Sequence, residues 1–124
     1  MTPMPRRIRP ADGDAALTSW RADADAPRAV RATAVRYSLE ELADRAPGHS
    51  VEVRVPPFGA TQCIEGPRHR RGTPPAVVET DAQTWLRLVV GDLTWGEALT
   101  TGQVRASGER AALDGLLPLW GPAA

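Results

Sequence analysis

The sequence predicts an α+β fold, a four- to five-stranded sheet covered by helices on one main face, and three observations predict it. Val51, Val53 and Val55 alternate with Glu52 and Arg54, as a half-buried strand requires. Apolar residues from Val30 to Ala46 recur at helical spacing and stop at Pro47-Gly48. Residues 80–119 then read as helix, short helix, strand and helix, so strands give way to clustered helices.

Taken in order, residues 1–13 carry Pro3, Pro5 and Pro10 among arginines and predict a flexible arm or strap with no helix. Residues 14–20 predict a short helix with Leu17 and Trp20 on one face, and ADADAP breaks it. Pro27 suits the first turn of the next helix, which carries Val30, Ala34, Val35, Leu39 and Leu42 on one side. After the valine strand, Pro56-Pro57-Phe58-Gly59 turns the chain into a second strand over residues 60–65. Gly66 to Pro75, GPRHRRGTPP, is too rich in Gly and Pro for regular structure, apart from a short edge strand around His69.

Residues 76–80 form a further strand that ends at Asp81, whose carboxylate is placed to cap a helix running to Gly91. Thr94 caps a shorter helix in which Trp95, Ala98 and Leu99 face inward, and Gly102 ends it. Residues 103–107 alternate as a strand. The last helix is predicted from Glu109 to Leu117, closed by Pro118.

A chain of 124 residues has room for one core. The organisation expected is an N-terminal arm and short helix over residues 1–27, one domain over 28–119 and a tail at 120–124. The formal net charge is +0, so no global field draws nucleic acid or an acidic membrane to the protein. All 15 basic residues are arginine; this fits codon usage in a GC-rich genome and says little about phosphate binding. The single Cys63 excludes an intramolecular disulfide framework and suits a reducing, cytoplasmic setting. No secretory apolar region follows the N-terminal arginines, and no apolar run approaches membrane-spanning length.

The runs SVEVRVPPFGATQCIEGPRHRRGTPPAVVETD, TWLRLVVGDLTWGEAL and GQVRASGERAALDGLLPL resemble the bacterial, actinobacterial branch of the sterol carrier protein-like domains. These occur alone or fused to mycothiol-dependent maleylpyruvate isomerase-type domains. Gly91, Ala98, Gly102, Gly108 and Leu113 stand at the positions of the general signature, a helix closing on Gly, a small helix, then Gly, strand, Gly and helix. Ala76 departs from the polar residue, often Asn, of this branch. The third strand is compressed into the basic loop, and the residues after Trp120 leave little to cap a ligand tunnel.

The resemblance implies a non-enzymatic lipid handler with an apolar tunnel between sheet and helices. Its tunnel side falls on Trp85, Leu86, Val89, Leu93, Trp95, Leu99, Leu113, Leu116 and Leu117. The same residues read from periodicity alone are equally a packed core, because a wall and a core share one pattern. Arg68, His69, Arg70 and Arg71, flanked by Gly66 and Gly72, form an anion or head-group loop, or else a solvated loop paired with Glu65, Glu79 or Asp81.

Cys63, Glu65 and His69 match no zinc spacing, and Cys63 lies on a strand without a nucleophile elbow, so no metal, cofactor or catalytic residue is expected. The partner expected is a hydrophobic small molecule or lipid, without nucleic acid or stable membrane insertion. The alternative is a ligand-free interaction module that docks on a protein such as a separately encoded mycothiol-dependent enzyme.

Overall fold

The computed structural model describes residues 7–66, 75–107 and 113–121. Two helices lead, α1 (Pro10–Ala22) and α2 (Arg28–Arg45), followed by the hairpin of β1 (Val51–Val55) and β2 (Gly59–Cys63). Next come β3 (Ala76–Thr80), α3 (Ala82–Val89), α4 (Trp95–Thr100) and β4 (Val104–Ser107). The sheet runs β2-β1-β3-β4; β1 is antiparallel to β2 and parallel to β3, and β3 is antiparallel to β4. An α+β fold is therefore what the chain adopts, with four strands among the described residues.

Alternation decides which face of the sheet is covered. Val51, Val53, Val55, Val78 and Val104 are buried and join one core with Val35, Leu39 and Leu42 of α2 and the apolar face of α3. Arg54, Gln62, Arg105 and Ser107 on the opposite face are exposed. No described helix is long and apolar enough to cross a membrane.

Three boundaries depart from the sequence reading. First, α1 begins at Pro10, not Asp14, because proline supplies the first turn without needing its absent N–H. Gly13 breaks nothing; it is buried, and a Cβ there would lie 2.2 Å from Tyr37 Cγ. It is the residue that lets the two helices touch. The described arm residues are tied down as well, since the Glu40 carboxylate accepts from the Arg7 and Ile8 amides at 3.0 Å.

Second, β2 ends at Cys63, because Ile64 turns to φ 65. Its amide donates to Ala46 O at 2.6 Å, and its carbonyl accepts from both the amide and the hydroxyl of Ser50, at 3.1 and 2.6 Å. A left-handed, β-branched residue is uncommon, and these three bonds hold it there. Gly48 fits beside it because a Cβ would meet the Ile64 carbonyl carbon at 2.2 Å. Ser50 also accepts from the Ala76 amide at 3.0 Å, so one residue joins both ends of the segment between β2 and β3.

Third, of the helix predicted from Glu109 to Leu117, residues 109–112 lie outside the described residues and residues 113–117 are not helical. The Leu116 and Leu117 amides both donate to Leu113 O, at 2.9 and 3.0 Å, as a single turn. Gly115 within the turn and Pro118 after it disfavour anything longer. The predicted edge strand around His69 lies outside the described residues.

Cys63 sits on the covered face of β2, where burial pushes its thiol up from 9.0 to about 11. A pKa raised by folding contributes stability that is present in full below about 9.0 and is lost as pH rises through about 11. Urea unfolding between pH 8 and 11 is expected to show stability declining across that window, and Cys63→Ala should flatten the decline. An equal slope in both proteins would assign the decline to other groups.

Candidate functional site

The candidate site is built on α3. Asp81 caps it as the sequence predicts, accepting from the Thr84 amide and from the Thr84 hydroxyl, both at 2.8 Å. Gly91 at φ 84 closes the turn that follows. Between them Trp85, Leu86 and Val89 are wholly buried. The Trp85 indole N–H finds its partner inside the core, donating at 2.7 Å to Ser38 Oγ, which donates at 2.7 Å to Val35 O. A polar residue on the apolar side of α2 is thereby satisfied, and α2 is keyed to α3.

The helix after it is set by a full capping box: Thr94 Oγ1 accepts from the Glu97 amide at 3.1 Å, and Glu97 Oε1 accepts from the Thr94 amide at 3.3 Å. This turns Trp95 and Ala98 inward, and Leu93 just before it is buried too. Leu99 does not follow them. It is 42% exposed, on the solvent side of the short helix, and so corrects the inward placement read from spacing.

Among the C-terminal positions, Leu113 is fully buried, while Leu116 and Leu117 are half-buried and rest against the same core. Eight of the nine predicted tunnel positions thus touch one apolar body, and Leu99 stands apart. Arg68, His69, Arg70 and Arg71, the predicted anion loop, lie outside the described residues.

Two features escaped the sequence reading. One is a groove of about 240 Å³ on the uncovered face of the sheet, lined by Arg54, Val77, Glu79, Arg105, Ala106 and Ser107. Arg54 pairs there with Glu52 of its own strand at 2.6 Å. The polar half of each strand's alternation marks this face, but which strands lie side by side to line the groove is not legible before the register is known.

The other is the tail. Leu119 is buried, and the Trp120 ring stacks on Tyr37 with centroids 5.5 Å apart and planes 16° from parallel. Residues 119–121 cover this end of the core. The signal available was a Leu-Trp pair after a proline, apolar enough to need cover.

The geometry offers an apolar interior walled by α3, the start of α4 and a loosely built C-terminal turn. Cys63 is buried on the covered face of β2, and as a neutral thiol it is inert at neutral pH. Compared with known proteins, residues 27–119 match a family model described as bacterial SCP ortholog. No curated protein matches the chain.

Proposed function

The chain belongs to the bacterial sterol carrier protein ortholog family, and from that premise we propose that it binds and carries an apolar or amphipathic small molecule without transforming it. A fatty acyl chain or a sterol-like body is the ligand class. The observation that carries this reading is the contrast within the candidate wall. Trp85, Leu86, Val89 and Leu113 are fixed in the core, whereas Leu116 and Leu117 lie half-buried on a turn whose amide bonds stay within residues 113–117. An apolar ligand between turn and wall would complete the burial of both leucines, at about 25 cal/mol per Å² of apolar surface.

A second reading has its own support. The four fully buried side chains belong to one continuous cluster with Leu42, Val53 and Val78, as in a solid core that acts only through its surface. The protein is then an interaction module with a protein partner.

Native mass spectrometry of gently purified protein, followed by organic extraction, separates the two. A stoichiometric lipid or acyl adduct is expected, and Leu117→Glu should reduce its occupancy at least about tenfold with the fold retained, because a charge enters an apolar site. Trp85 and Leu113 do not serve this test, since their removal breaks the core itself. A protein that emerges empty and ignores fluorescent fatty-acid and sterol probes sinks the carrier reading and favours the module.

A further inference from the structure

We infer that residues 119–121 form a clasp that gates the apolar interior, and that ligand entry requires its release; this rests on the carrier reading. The contacts that close the C-terminal turn are gathered at these three residues. The amides of Leu119 and Trp120 both donate to Val89 O at 3.0 Å. That carbonyl belongs to the last turn of α3, where helical carbonyls lack partners of their own.

Arg45 of α2 donates to Leu119 O and sets its guanidinium carbon 5.8 Å from the centre of the Trp120 ring. Arg21 of α1 reaches Gly121 O at 3.3 Å. The Trp120 ring closes on Tyr37, whose hydroxyl donates to Asp14 at 3.1 Å. Three helices meet the chain here. Among the described residues, the amides of Leu116 and Leu117 donate to Leu113 O, within the turn itself, whereas the clasp ties the chain to the helices.

Arg21, Trp120 and Gly121 lie outside the family-matched residues 27–119. The latch thus joins the last matched residue, Leu119, with Arg21, Trp120 and Gly121 from segments that flank the match, and it bears on Val89, Arg45 and Tyr37 within it. Released, the clasp uncovers Leu119 and the end of α3 while Leu113 keeps the turn anchored.

Two readouts on the full chain test this: hydrogen exchange of the 119–121 region, and stopped-flow uptake of a naturally fluorescent polyene fatty acid. Trp120→Ala and the milder Arg45→Ala, which changes a side chain that is 43% exposed, are compared with the parent. Removing the ring contacts should raise both exchange and the uptake rate by about tenfold in Trp120→Ala and less in Arg45→Ala, with final occupancy unchanged. Faster exchange with an unchanged uptake rate overturns the gate and leaves the carrier reading standing. Unchanged exchange in both variants shows that the ring locks nothing and also overturns it. A probe taken up by none of the three proteins overturns the carrier reading and the gate with it.

Discussion

Trp85→Ala is expected to lower the unfolding free energy by about 3–5 kcal/mol, read by urea denaturation at neutral pH. The side chain is wholly buried, so its removal leaves a cavity among residues that cannot collapse into it. It also strips Ser38 Oγ of the indole N–H that reaches it at 2.7 Å. Trp85→Phe separates the two losses: most of the volume stays, and the missing donor alone should cost about 1–2 kcal/mol. Adding Ser38→Ala to Trp85→Phe should recover part of that cost, because neither partner then remains unpaired. A loss below about 1 kcal/mol in Trp85→Ala would mean that the ring faces open space, and would return Trp85 to the wall of a tunnel.

Gly13→Ala is expected to destabilise the protein by about 1–3 kcal/mol, against the usual direction for glycine in a helix. Alanine gains about 1 kcal/mol in helix propensity. The new methyl carbon, however, would stand 2.2 Å from Tyr37 Cγ, far inside contact distance. Tyr37 has little room to yield, stacked on Trp120 and bonded to Asp14. Gly96→Ala is the control, because nothing lies within 4 Å of the added carbon there; that change should be neutral or stabilising. Loss at Gly13 with none at Gly96 assigns the effect to the helix contact, and stability gained at both would show that α1 shifts freely.

The middle of the chain was legible because its signals are local. Asp81, Thr94, Gly91 and Gly102 each act within a turn of their own position, and the helix ends they predict are the ends that form. The valine alternation of β1 needs only a period of two to be read. The ends were misread because their signals are tertiary. Pro3, Pro5 and Pro10 suggest an arm without helix until Pro10 is known to open α1 and Gly13 to lie against Tyr37, distant in sequence. Leu113, Leu116 and Leu117 have helical spacing, but core burial of Leu113 and the flexibility of Gly115 settle on one turn. Leu99 fell on the apolar arc of a helix too short for that arc to stay covered throughout. At the candidate site, sequence found most of the apolar residues but not the Ser38 key or the tail, since both depend on which elements meet.

Ser50 has a meaning for how the sheet tolerates variation. It is bonded to Ile64 on one side and to Ala76 on the other, so the ends of the intervening segment are joined independently of its content. The entropy of closing such a segment grows only as the logarithm of its length, about 0.6 kcal/mol per doubling. Residues between the two junctions can be lengthened, shortened or exchanged while the pairing of β1 with β2 and β3 keeps its register. The terminals of that segment are held mainly by main-chain groups of Ser50, its amide on Ile64 and its carbonyl on Ala76, with its hydroxyl adding one bond to Ile64.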